Sequence, residues 1–98
     1  MIIDLKEFCC KRSVTGEYGL KIQKVIIDSW DEEEKITIDF NNILIASVSF
    51  FDEAFGKLAL KYPVNRLKEK LAFENIDNYD RALLNAALNS RYGQKQSG

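Results

Sequence analysis

Ile38-Asp39-Phe40-Asn41-Asn42-Ile43-Leu44-Ile45-Ala46-Ser47-Val48-Ser49-Phe50-Phe51-Asp52-Glu53-Ala54-Phe55-Gly56-Lys57-Leu58 contains a change of hydrophobic period that sets the architecture. Ile36, Ile38 and Phe40 alternate with Thr37 and Asp39, the two-residue period of a half-buried strand. Asn41 and Asn42 tolerate the unusual backbone angles that end a strand, and Ile43 to Ala46 reads as a short buried connector. From Ser49 the period becomes helical. Phe51, Ala54, Phe55, Leu58 and Tyr62 share one face, Asp52, Glu53, Lys57 and Lys61 lie towards the other, and Pro63 stops the pattern.

The same change of period recurs on both sides of this stretch. Met1 to Phe8 alternates loosely, with Ile3, Leu5 and Phe8 or Cys9 available to one face, and predicts an opening strand. Lys11 to Gly16 collects turn and cap residues ahead of Ile22, Val25, Ile26, Ser29 and Trp30, whose spacing predicts a helix from about Glu17 to Trp30. The acidic run Asp31 to Glu34 marks a solvated turn. Downstream, Arg66 to Lys70 reads as a charged loop or a short helical turn, and Leu71, Phe73 and Ile76 as a third strand. Asp77 or Asn78 caps a last helix with a stripe of Tyr79, Leu83, Ala86, Ala87 and Ser90, widened by Leu84 and Leu88. Alternating strands and helices predict an α/β fold with a small central sheet, mixed or mostly parallel, of three to four strands joined by right-handed crossovers past three helices. One domain is expected over 1–92, with 93–98 a polar, disordered tail.

Composition narrows the function. A chain of 98 residues, 46% hydrophobic and 30% charged, has the balance of one globular domain with one core. Fourteen basic against fifteen acidic residues leave a formal charge of -1, which gives no field to draw in nucleic acid or anionic lipid. Cys9 and Cys10 are adjacent, so they neither staple a secreted scaffold nor form a redox or zinc knuckle, and they read as structural. No signal-peptide pattern and no apolar run of membrane length is present, so the expected location is cytoplasmic. The absence of histidine removes the commonest general base and metal ligand, so neither an enzyme nor a metal or cofactor site is expected. Asp52 and Glu53, neighbours on a helix, splay apart by about 100° and read as a solvated face rather than a catalytic pair.

Two places carry a binding reading beside a structural one. Arg12, Thr15, Gly16 and Gly19, with Lys11 close by, stand where the first strand passes into the first helix; backbone amides there suit either an ordinary turn or a nucleotide or other anion. The third glycine or Gly-Lys-Ser end of a full phosphate-binding fingerprint is missing. Ser49 and Asp52 have the spacing of a capping box, with Ser49 as N-cap, and a hydroxyl at a helix start is also a place that favours a phosphate. Phe50 lies off the helical stripe, so it either packs under the preceding loop or anchors a partner-binding surface with Ser47 and Ser49.

Ser49 through Gly56, within Ile38 to Leu58, resembles the signature of the STAS domains of sulfate transporters and anti-sigma factor antagonists. It is closer still to a bacterial STAS-like family of unknown function with the motif Ser-Phe-(Phe/Leu)-Asp-Glu-(Ala/Leu)-Phe-Gly. The likeness extends over most of the chain. It implies a small sheet with helices packed largely on one side, and regulation by protein-protein binding, with a kinase-like ATP-binding protein as partner. In the antagonists a serine at the start of the helix is phosphorylated to switch partners. Ser49 occupies that place, with Ser47 and Phe50 standing where antagonists carry Asp and Gly. Self-association as a structural subunit is the remaining alternative.

Overall fold

In a computed structural model, which describes residues 1–97 as backbone and residues 1–89 with side chains, the opening strand β1 is short, Ile2–Asp4. Asp4 ends it by capping a helix, α1 (Leu5–Cys9), its carboxylate accepting the Glu7 N–H at 3.1 Å. The strand expected to reach Phe8 is thus corrected. Asp4 and Glu7 have capping-box spacing, and Leu5 and Cys9, one helical turn apart, are both buried. Cys10, at φ 57°, closes α1 by donating its N–H to the Lys6 carbonyl at 2.8 Å. Both cysteines are free thiols, Cys9 buried and Cys10 exposed, and burial pushes the Cys9 thiol up from its ordinary pKa.

Two parallel sheets follow. β1, β3 (Ile36–Asp39) and β5 (Leu71–Glu74) form a three-stranded sheet in the order β1-β3-β5, with Ile3 opposite Ile38 and Ile38 opposite Phe73. Ile36 and Ile38 are fully buried in the central strand. β2 (Ser13–Val14) and β4 (Ile45–Ala46) make a second, two-stranded sheet. The supposed buried connector therefore ends in a strand whose Ala46 points inward, and Ile43 is partly buried against the core, whereas Leu44 and Ile45 are 71% and 64% exposed. Ile76 lies beyond β5. Asn42 and Asn75 take positive φ, 66° and 56°, just past the ends of β3 and β5, as asparagine tolerates. Asp39 ties both turns, accepting from the Asn41 N–H and the Asn75 amide at 2.9 Å each.

β2 leads into α2 (Gly16–Ser29) and β4 into α3 (Val48–Ala54), so parallel strands deliver two helices side by side. The buried residues of α2, Gly19, Ile22 and Ile26, recur at helical spacing, and Trp30 at its C-cap stacks on Tyr62, ring centroids 3.8 Å apart. The helix predicted to run unbroken to Tyr62 stops at Phe55, whose φ and ψ are -125° and -39°, and continues as a 3-10 turn, Gly56–Leu60. The break directs Phe55, Leu58 and Ala59 into the core. After Pro63, α4 (Val64–Lys70) realises the helical alternative for Arg66 to Lys70 and buries Leu67.

Asp77 caps α5 (Asn78–Ser97), accepting the Asp80 N–H at 2.7 Å. Leu84 and Leu88 carry its burial, with Leu83 and Ala87 partly covered, while Tyr79, expected on the buried stripe, is 71% exposed. Ser90 and the tail expected from residue 93 fall among side chains outside the described residues. Burial and the neighbouring Asp77 push Asp80 above the ordinary carboxylate pKa. The folded state then disfavours the charged form, so this group destabilises at neutral pH, and stability returns as pH falls through the raised pKa. Asp80→Asn is expected to be more stable than wild type at pH 7, within the ~0.5 kcal/mol typical of a surface change. Urea titrations at pH 7 and pH 4 should show that advantage shrinking at the lower pH; a constant difference would contradict the account.

Candidate functional site

Ser47 is the last extended residue before α3, at φ -77° and ψ 160°, because its N–H is held by the Val14 carbonyl of β2 at 3.0 Å. Its hydroxyl accepts the Phe50 N–H at 3.1 Å, which makes Ser47 the N-cap. Ser49, expected to be the cap, already lies within the helix, and its Oγ stands 2.9 Å from the Ser47 Oγ. Relieved of capping, Ser49 is exposed at the surface. The capping pattern was shifted by two residues because β2 extends the backbone as far as Ser47, a pairing with no local sequence signal.

Phe50 belongs entirely to the core. It is 0% exposed and meets Phe40, Phe51 and Phe55 edge-on, with centroids 6.4, 5.5 and 6.0 Å away. The hot-spot reading of Phe50 is therefore corrected. The exposed apolar side chains here are Leu44, Ile45 and Val48, at 71, 64 and 64%. Sequence reasoning placed the first two in a buried connector and missed all three. The signal available was the alternation of Ile45, Ala46 and Ser47 around one inward residue, as a strand requires. Beside them an open groove of about 530 Å³ runs between α3 and α5, lined by Val48, Ser49, Asp52, Leu83, Ala86 and Ala87.

The glycines serve the junction of α2 with α3. A Cβ on Gly19 would lie 2.6 Å from the Phe50 carbonyl oxygen, 3.0 Å from the Glu53 Cβ and 3.1 Å from the Ala54 nitrogen. One on Gly16 would lie 3.3 Å from both Cβ and Oγ of Ser49. The Gln23 amide completes the contact by donating to the Glu53 carbonyl at 2.6 Å, and Glu53 pairs with Lys57 at 2.8 Å. Gly19 is consequently covered by α3 and removed from the anion cradle proposed for Arg12, Thr15, Gly16 and Gly19. Thr15 is the N-cap of α2 without a side-chain bond, and Arg12 is exposed, its carbonyl accepting the N–H groups of Leu44 and Ile45 at 2.8 and 3.2 Å.

What the structure does bring together at Ser49 is a hydroxyl, the starts of two helices and an apolar rim. A phosphate there would meet the positive ends of α2 and α3, with Asp52 one turn further along α3. Among the described residues no cluster of acidic or cysteine side chains is arranged to hold a metal ion, and no helix is long and apolar enough to cross a membrane.

A family model described as a STAS-like domain of unknown function matches residues 19–81, well over half of the chain, from the covered glycine of α2 to the first turn of α5. No curated protein and no solved structure matches.

Proposed function

We propose that this chain, which belongs to the STAS-like domain family, is a non-catalytic regulator that acts by binding another protein. The observation that carries this reading is the exposed apolar group Leu44, Ile45 and Val48 beside the accessible hydroxyl of Ser49 and the groove below it. Apolar side chains gathered at a helix start, with polar residues around them, are what a protein interface needs at its centre. A position where phosphate adds charge without disturbing the fold is what a switch needs, and Ser49 meets that condition because Ser47 does the capping.

In this reading the partner is a protein of the anti-sigma regulatory kind, an ATP-binding, kinase-like chain that phosphorylates Ser49 in the cytoplasm and is released by it. The negative charge, set against apolar contacts, disfavours rebinding. The test is capture from native lysate on wild-type, Ser49→Ala, Ser49→Asp and Val48→Asp baits, with mass spectrometry of the captured proteins and of the bait. A partner held by wild type and Ser49→Ala and lost with both aspartates is the expected result. Identical capture by all four baits, with Ser49 unmodified, would overturn it. Self-association through the same patch predicts instead a mass that rises with concentration in light scattering and falls to the monomer in Val48→Asp.

A further inference from the structure

The sheet has an open edge at β5. Thr37 donates to Met1 at 2.9 Å on the β1 side, and Phe40 donates to Glu74 at 3.0 Å on the β5 side. Main-chain groups alternate in direction along a strand, so Ala72 and Glu74 face β3 while the N–H and C=O of Phe73 point away from it. Among the described residues β5 pairs with β3 alone. Among the described residues α5 does not close the gap: it leaves an open groove of about 340 Å³ between its Leu84 and Leu88 and the Leu71 and Phe73 of the strand. Lys68 and Arg81 also line this groove, no carboxylate does, and neither cation is in an ion pair among the described residues.

We propose that the β5 edge docks an extended, acidic segment of a partner protein, which adds a strand beside β5 with its main chain on Phe73 and its carboxylates on Lys68 and Arg81. An unpaired edge offers main-chain hydrogen bonds to any extended chain, and the side chains beside it set which chain is accepted. The apolar wall of Leu71, Leu84 and Leu88 takes the alternate side chains, and two unpaired cations select for negative charge. A second copy fits less well. Of the carboxylates beside the other free edge of the sheet, β1, Asp4 is already engaged as the cap of α1 and Glu7 stands on that helix, beyond the end of the strand.

The experiment titrates a short, end-blocked peptide of alternating glutamate and valine into the full chain to millimolar concentration, followed by amide NMR and hydrogen exchange. Lys68 and Arg81 are both exposed, so Lys68→Glu/Arg81→Glu should fold, as its amide spectrum will show. Saturable shifts centred on β5 are expected, with slowed exchange of the Phe73 amide. Binding should be at least about tenfold weaker in the double variant or with lysine in place of glutamate in the peptide, and unchanged in Val48→Asp. No shifts, no protection at Phe73, or equal binding by the double variant would overturn the proposal. Protection of Phe73 that grows with protein concentration and without peptide would overturn it in favour of a second copy.

Discussion

Phe50→Ala is expected to destabilise the fold by about 3–5 kcal/mol, the usual cost of emptying a buried phenylalanine site. The side chain is fully buried and sits at the centre of an aromatic cluster in which Phe40 stacks on Phe51 at 5.9 Å and Phe55 meets Phe73 edge-on at 5.1 Å. That cluster joins β3, α3 and β5. No neighbour can fill the space without leaving contacts of its own, so little of the cavity will collapse. A domain this small has a stability near the lower end of the ~5–15 kcal/mol range, and the variant should be largely unfolded at 37 °C. Urea titration by circular dichroism checks this, and a loss under about 1 kcal/mol would mean that Phe50 is not where the structure places it.

Gly19→Val is expected to cost about 3 kcal/mol, at the upper end for overpacking a close contact. The offending atoms are main chain, the Phe50 oxygen and the Ala54 nitrogen, so relief requires α2 and α3 to move apart and not a side chain to swing away. Replacing a helical glycine by valine returns only roughly a few tenths of a kcal/mol of propensity, because valine is itself a modest helix former, and the clash exceeds it. Gly16 supplies the control. Its nearest neighbours are the Ser49 Cβ and Oγ, both at 3.3 Å, a contact that needs a shift of only a few tenths of an ångström, and Gly16→Ala should cost far less than Gly19→Val. Thermal unfolding of the two variants in parallel tests the contact, and equal midpoints would refute it.

The parts of the fold legible in the sequence are those where one period holds over several residues. Ile36, Ile38 and Phe40 announced β3, and Ile22 and Ile26 announced α2, because each repeats a geometry that burial alone imposes. α1 was hidden by its length, since five residues hold barely more than one helical turn and Leu5 and Cys9 satisfy a strand's alternation as well as a helix's. β2 and β4, two residues each, exist only by pairing with one another across thirty residues of chain, a long-range effect that no local pattern reports. That unseen pair moved the helix cap from Ser49 to Ser47. It also turned Leu44 and Ile45 outward. Phe50 lies off the helical stripe, which left its side open between surface and core, and the aromatic cluster that draws it inward comes from Phe40 and Phe55, on either side of it in the chain.

Protein binding by the outward apolar group at the start of α3 is tested by the dissociation constant of a captured partner for wild type and for Val48→Asp. Val48 is 64% exposed and supports none of the core, so the variant should keep wild-type stability. A charge placed at the centre of an apolar contact should weaken binding by about 2 kcal/mol or more, some thirtyfold. Loss of affinity at unchanged thermal stability is the predicted result. Unchanged affinity in a fully folded Val48→Asp would contradict the account and place the interface elsewhere on the molecule.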